Sequence, residues 1–231
     1  MRPDHHGVID VVVRATDVAR TFGSGPCAVV AVHGVSCEVR AGDLIALTGP
    51  SGSGKTTLLH LLAGLDIPTT GTLEWPAIGA HNQLRPGPVA IVFQAPSLMP
   101  PLDVIENVAL PLLLQGIDRR TARRKALEAL HRLDLEYIAA KLPEELSGGQ
   151  AQRVAVARVL AGKPTLILAD EPTGQLDHSS GSVVIDALIA AATETGAALI
   201  VNTHDAAVAY RFDHRWSMTN GRLSVKATAS C

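Results

Sequence analysis

Leu44-Ile-Ala-Leu-Thr48-Gly49-Pro-Ser-Gly-Ser-Gly54-Lys55-Thr56-Thr57-Leu-Leu-His60-Leu-Leu-Ala63-Gly64 joins two apolar runs through a glycine-rich bend. The first run, read from Asp43 to Thr48, has the unbroken aliphatic character of a strand buried on both faces. Gly49 stops it. From Lys55 the pattern turns helical through Ala63, and Gly64 stands where a C-terminal cap belongs. The bend fits GxxxxGK[ST] between strand and helix, the context in which that pattern marks a phosphate site. Gly49, Gly52 and Gly54 permit backbone conformations that turn successive N–H groups inward, with Ser51 and Ser53 between them. The helix N-terminus adds its positive dipole end. Lys55 can reach the β and γ phosphates, Thr56 offers a hydroxyl to Mg²⁺, and Thr57 completes the cradle.

A second apolar run, Thr165 to Ala169, ends in Asp170 and Glu171. Two buried acids at a strand end are costly unless a cation waits there, and Mg²⁺-nucleotide supplies one. Both this pair and the Gly49–Thr57 loop fall beyond the carboxyl ends of strands, where open parallel sheets bind ligands. Adjacent strand residues point opposite ways, so Asp170 can serve the metal while Glu171 polarises an attacking water. Further strands are expected at Val8–Val13, Val35–Val39, Gly71–Trp75, Val89–Phe93 and Leu199–Val201, with a helix from about Ser179 to Thr195. Strands alternating with helices at this period predict an α/β fold with a mostly parallel sheet.

Composition narrows the function classes. The chain has 231 residues, with 20 Lys plus Arg against 22 Asp plus Glu. That balance leaves no surplus for a phosphate backbone, so no nucleic-acid partner is expected. Aromatics are 3%, which suits an aliphatic core of strands covered by helices. Area scaling for this mass lets roughly 70% of the unfolded surface be buried, enough for one domain with a sizeable core. The most apolar stretch, Val183–Val201, is broken by Asp186 and by Thr193 to Gly196, short of the roughly 18 to 20 apolar residues of a membrane span. Met1–Gly7 holds Arg2, Asp4, His5 and His6 without an apolar core, so it does not read as a secretory signal. Cys27, Cys37 and Cys231 make no CxxC pair, and the nine histidines show no i, i+4 pair; neither a disulfide framework nor a transition-metal site is expected.

The middle of the chain reads as helical. Asp103 and Glu106 have capping-box spacing, and Ala122, Ala126, Leu127, Leu130 and Leu133 form an apolar stripe on the next helix. Arg119, Arg120, Arg123, Arg124 and Lys125 occupy its other face, read as solvated. Leu146-Ser147-Gly148-Gly149-Gln150 precedes a helical run over Ala151–Ala161, and Ser147 to Gln150 again has capping-box spacing.

With the phosphate loop before it and Asp170-Glu171 after it, this pentapeptide resembles the signature motif of ATP-binding cassette (ABC) ATPases, and the resemblance covers nearly the whole chain. Gln94 resembles that family's Q-loop glutamine, a metal and water contact; Gly174-Gln-Leu-Asp177 resembles its D-loop; His204 resembles its switch histidine. Phe22 resembles the aromatic that stacks on adenine. The resemblance implies a P-loop NTPase (RecA-like) core with an N-terminal antiparallel β subdomain and an inserted helical subdomain over about 96–160, all within one nucleotide-binding domain spanning 1–231. It implies Mg²⁺ held by Thr56, Gln94 and Asp170, and ATP held by Phe22, the loop, Ser147, Gly148, Gly149, Gln150 and Asp177. Lys55, Gln94, Glu171 and His204 are implied in catalysis. Partners implied are a second copy packed head to tail, closing its Ser147–Gln150 helix end over the first copy's nucleotide, and an integral-membrane permease docking along Ala95–Asn107. The chain would then sit on the cytoplasmic face of the membrane.

Within the family, Gln94–Pro111 resembles the lipoprotein-release and macrolide-efflux branch, which implies export or extraction. Import, or force transmission to a membrane partner without solute transport, stays open. Two departures are the segment from Gly71 to Gln94, shorter than in that branch, and Gln175 where Asn is usual. Neither removes a catalytic group.

Overall fold

Alternation along the central strands divides the molecule into two cores. In the computed structural model, which describes residues 10–227, β3 (Leu44–Thr48), β6 (Leu166–Asp170) and β7 (Ala198–Asn202) form the middle of a six-stranded sheet. Ile45, Leu47, Leu166, Leu168, Ala198 and Ile200 point to one face; Ala46, Ile167, Ala169, Leu199 and Val201 point to the other. This is the period-2 geometry of a strand applied to residues that are apolar throughout. β5 (Val89–Val92) and β8 (His214–Thr219) extend the sheet in parallel, and β9 (Arg222–Ala227) closes one edge antiparallel, giving the order β5-β6-β7-β3-β8-β9.

On the first face lies α1 (Lys55–Leu62), with Leu58, Leu59, Leu61 and Leu62 all buried. Burying each leucine is worth about 1.5–3 kcal/mol, so this short helix is held by packing on both sides rather than by propensity. Its outer neighbour is a three-stranded antiparallel sheet, β2-β1-β4, made of β1 (Val11–Phe22), β2 (Val29–Arg40) and β4 (Thr70–Glu74). Gly64, at φ +66°, ends α1 as expected: Leu65 N–H reaches His60 O at 2.8 Å and Gly64 N–H reaches Leu61 O at 2.9 Å. The opposite face of the main sheet is covered by α2 (Val104–Leu114), α3 (Arg119–His131), α4 (Gly148–Ala161), α5 (His178–Thr195) and α6 (Ala206–Ala209). Among the described residues no helix is long and apolar enough to cross a membrane.

Several expected boundaries move. The strand expected at Val8–Val13 is seen from Val11 and runs on to Phe22, while Val8 and Ile9 lie outside the described residues, as do Met1–Gly7 and Cys231. The strand expected at Val35–Val39 begins at Val29. Both extensions carry exposed or polar residues and bulges that break the alternation; at the bulge between Ala15 and Val18, Asp17 takes φ +49°. α4 starts at Gly148 rather than Ala151, because Ser147 and Gln150 form the full capping box, Gln150 N–H to Ser147 Oγ at 3.2 Å and Ser147 N–H to Gln150 Oε1 at 3.0 Å. The β8–β9 hairpin has no counterpart among the expected strands. Its signal is Asn220-Gly221, with φ +48° and +75°, the two-residue turn that matches strand twist.

The short segment from Gly71 to Gln94 is fully structured: β4, a bridge between Trp75 and Gly79, a 3-10 turn at His81–Gln83, a cis Arg85–Pro86 bond and β5. Trp75 is buried there and donates to Leu62 O at 2.9 Å, fastening the segment to α1. Cys37 packs against the same core, and burial pushes its thiol up to about 12.

Candidate phosphate and nucleotide site

Register puts the site on one edge of the sheet. Leu47 pairs with Asn202, Asp170 pairs with Asn202, and Val92 pairs with Ala169. The loop that follows Thr48, the Asp170-Glu171 pair, the turn after Asn202 and Gln94 therefore all leave the sheet at the same level.

Close packing as well as backbone freedom dictates the loop's glycines. A Cβ on Gly49, at φ +143°, would stand 2.1 Å from Met218 O; one on Gly54, at φ +98°, would stand 2.1 Å from Ala31 O. Gly52 has φ +72° with open space beside it, so there only the left-handed conformation demands glycine. Lys55 is buried and its Nζ donates to Gly49 O and Pro50 O at 2.9 Å each, which centres the ammonium over the loop. Ser53 is buried with its Oγ unpaired, while Ser51, Gly52 and Thr56 are exposed and Thr57 is partly so. The Lys55 ammonium and the exposed Ser51 and Thr56, gathered on a glycine-rich loop at the N-terminus of α1, make an anion cradle.

Glu171 is the meeting point. It takes φ +46°, held by Glu171 N–H to Asn202 O at 3.0 Å and Gly174 N–H to Glu171 O at 3.1 Å. That turn swings its carboxylate toward Gln94, whose Nε2 lies 3.4 Å from Glu171 Oε2, and toward His204, whose Nδ1 lies 3.6 Å from the same oxygen. Such conformations are disfavoured for non-glycine residues, and they concentrate at functional sites. Asp170 is 8% exposed, accepts from Asn202 Nδ2, and forms no ion pair among the described residues. A buried carboxylate bonded to an amide, with no cation paired to it, fits a hard metal ion. Asn202 is the site residue that sequence reasoning misses, and its signal is its place two residues before His204 at a buried strand end.

The remaining predicted residues lie apart from this cluster or at its rim. Asp177 caps α5, accepting from Ser180 N–H at 3.0 Å and from the Ser179 and Ser180 hydroxyls at 2.6 and 2.7 Å. Those hydroxyls and the N–H hold its carboxyl well below the usual range. It lines one hollow with Glu171, Gly174 and His204. Phe22 ends β1, 43% exposed, with the Arg20 guanidinium 4.5 Å from its ring centre; its partner strand β2 touches Gly54 through Ala31. Ser147, Gly148, Gly149 and Gln150 are not brought to this loop. Ser147 and Gln150 bond each other, and Gln150 also bonds Tyr137, at the partly exposed end of α4, open to a second molecule.

A glycine-lined phosphate loop facing an Asp-Glu strand end, with a glutamine and a histidine on the glutamate, is the equipment of a P-loop ATPase. The ABC transporter family model matches residues 32–174, and the chain belongs to that family as an ATP-binding and ATP-hydrolysing cassette using Mg²⁺. Similar curated proteins include the lipoprotein-releasing system ATP-binding protein LolD of Hydrogenovibrio crunogenus, 39% identical over 221 residues, covering 93% of this chain and 96% of that one. LolD of Shewanella oneidensis is 38% identical over 227 residues, covering 95% and 99%. Among solved structures, the dimeric post-hydrolysis state of the ATP-binding cassette MJ0796 with ADP and Pi superimposes with TM-score 0.87 at 33% identity, covering 95% of this chain and all of that one. CbiO1 of Clostridium perfringens, part of the ABC transporter complex cbiONQ, gives TM-score 0.81 at 27% identity, covering 94% and 88%.

Proposed function

We propose that this chain hydrolyses ATP as one half of a head-to-tail dimer and drives a separate membrane permease that extracts lipid-anchored proteins from the bilayer. The observation that carries the chemistry is the convergence of Gln94 and His204 on one oxygen of Glu171 at the edge shared with the phosphate loop. Glu171 acts as the base toward water, Gln94 orients that water and His204 holds the carboxylate and the departing phosphate. Lys55 and the loop N–H groups fix the phosphates. Thr56, Gln94 and Asp170 would hold Mg²⁺, which when bound neutralises charge on the phosphate oxygens. Phe22 offers the adenine a ring face, Asp177 lines the hollow next to Glu171, and Ser147 to Gln150 present a second helix N-terminus to the nucleotide of the opposite subunit.

The dimer reading is supported by that open α4 end and by the dimeric MJ0796 cassette. The extraction reading rests on relatives named as lipoprotein-releasing system ATP-binding proteins that align over 93–95% of this chain. In such a complex the chain works as one nucleotide-binding domain on the cytoplasmic face of the membrane, with residues 96–160 as its helical subdomain. Glu171→Gln should keep ATP affinity, accumulate an ATP-bound dimer on gel filtration and lose about a hundredfold or more in turnover. Normal hydrolysis by that variant would sink the base assignment. Release of a lipid-anchored reporter from proteoliposomes holding the reconstituted complex tests direction, and uptake of a soluble solute instead would sink the extraction reading.

A further inference from the structure

The end of β1 is tied to the end of the phosphate helix by residues 65–69. Leu65 N–H and Asp66 N–H both reach His60 O, at 2.8 and 3.3 Å, so the tie begins on the last turn of α1. It ends on β1, where Thr69 N–H donates to Ala19 O at 2.8 Å and Thr21 N–H donates to Thr69 Oγ1 at 3.0 Å. Arg20 stands between those two points. Its Nε donates to Asp66 Oδ2 at 2.8 Å with both side chains partly buried, and Ile67 N–H donates to Asp66 Oδ1 at 2.8 Å, which fixes the carboxylate. The guanidinium so held lies 4.5 Å from the centre of the Phe22 ring, within the range of a cation–π contact. With that contact made, Phe22 is still 43% exposed. An exposed phenylalanine at a strand end is otherwise free to change rotamer; here one face rests on a cation that is itself anchored to the end of α1.

We propose that Arg20 is a positioning residue for the adenine: held by Asp66, it fixes the Phe22 ring at a set distance from the phosphate helix, so that base and triphosphate are recognised as one rigid span. This rests on the reading of Phe22 as the adenine platform. The face of the ring that Arg20 leaves uncovered is the one offered to the purine, and a cation behind the ring draws π density away from it, which favours stacking on an electron-rich base. A ring already held in place also loses less freedom when the nucleotide arrives. Lys55 and the loop glycines hold the phosphates without this contact, and Glu171 lies with Gln94 and His204 at the sheet edge. Arg20 therefore acts on the binding of the base and leaves the hydrolytic step alone.

Arg20→Met keeps the stem and removes the cation, while Asp66→Asn keeps the shape of the anchor and removes its charge. Each should raise the KM for ATP about two- to fivefold, the range of a cation–π contact at a partly exposed site, with kcat within about 1.5-fold of wild type. Inorganic tripolyphosphate, which carries phosphates and no base, should inhibit wild type and both variants with constants that agree within about 1.5-fold. In a Phe22→Ala background Arg20→Met should add less than about 1.5-fold, because the ring through which it acts is gone; Arg20→Lys should recover part of the single-variant loss. A KM for ATP that stays put in Arg20→Met while Phe22→Ala raises it would overturn the proposal. So would a KM that falls, since the guanidinium would then be occupying the face that the adenine takes. Tripolyphosphate inhibition that weakens along with ATP binding, or full additivity of Arg20→Met with Phe22→Ala, would overturn it as well, because both mark a general loosening of β1. An unmoved KM in Phe22→Ala by itself would instead strike the adenine reading on which the proposal stands.

Discussion

Substituting alanine at each glycine of the phosphate loop separates two demands that sequence alone merges. At Gly52, φ is +72° and nothing lies within 4 Å of a built Cβ, so Gly52→Ala costs only the left-handed conformation, about 1–2 kcal/mol. Gly54 has φ +98°, and its Cβ would fall 2.1 Å from Ala31 O and 2.9 Å from the Met218 methyl. The Met218 methyl can turn aside, but the Ala31 carbonyl cannot withdraw freely because it belongs to β2. Gly54→Ala therefore adds a forced backbone shift of about 1–3 kcal/mol, for a total of roughly 2–5 kcal/mol. Gly49→Ala, with Met218 O at 2.1 Å, belongs with it. For a chain of this size about 1 kcal/mol moves Tm by about 2–4 °C, which predicts a fall of roughly 5 °C for Gly52→Ala and roughly 10 °C for the other two. Thermal unfolding by circular dichroism of the three variants in one buffer decides it. Equal shifts for Gly52→Ala and Gly54→Ala would refute the close-approach argument, since the dihedral penalty would then be the whole effect.

Three further outcomes follow from side chains already described. Phe22→Ala should raise the KM for ATP by roughly two- to twelvefold with kcat little changed, the range of an aromatic contact worth about 0.5–1.5 kcal/mol; an unmoved KM places the adenine elsewhere. Asp177 titrates below its ordinary value of 3.8 in the folded chain, so its contribution to stability is present above that pH and is lost as pH falls through the lowered folded value. The Tm gap between wild type and Asp177→Ala should accordingly hold constant from pH 8 to pH 5 and close only in stronger acid, and a gap that closes near neutrality would show that another group carries it. Cys37, pushed up to about 12 by burial, should escape iodoacetamide at pH 8 in the native protein while the exposed Cys27 is alkylated; peptide mass spectrometry reads both, and labelling of Cys37 at the rate of Cys27 would contradict its burial.

The candidate site is legible because its residues sit at strand ends that announce themselves. Leu44–Thr48 and Leu166–Ala169 are near-continuous apolar runs, and a glycine-rich loop or an acid pair directly after such a run marks the carboxyl edge at which open sheets bind ligands. The caps are legible for the same local reason: Asp103 with Glu106, and Ser147 with Gln150, need only neighbours three residues away. Long antiparallel strands are harder. Val29 and Val30 are exposed and Asp17 sits on a bulge, so neither β1 nor β2 shows a clean alternation, and their length is set by pairing with each other across the sheet. Asn220-Gly221 is a local turn signal, yet the strand before it has only Trp216 and Met218 buried to carry its alternation. The hydrogen bonds of Asn202, Gln152 and Arg158 are invisible for a different reason. Each acts on a residue far away in the chain, at Asp170, Phe93 and Ser97, and no spacing rule encodes a tertiary hydrogen bond.

The phosphate loop leans on backbone made much later. Gly49 lies against Met218 O, Ser53 O accepts from Gly221 N–H at 3.0 Å, and Gly221 O in turn accepts from His33 N–H at 2.8 Å. A nascent chain elongated through His204 already holds the loop, the acid pair and the histidine, yet it lacks the Met218 and Gly221 backbone against which Gly49 and Ser53 rest. The loop's full backing is therefore a property of the finished sheet, complete only once the Asn220-Gly221 turn joins the early strands to the late ones.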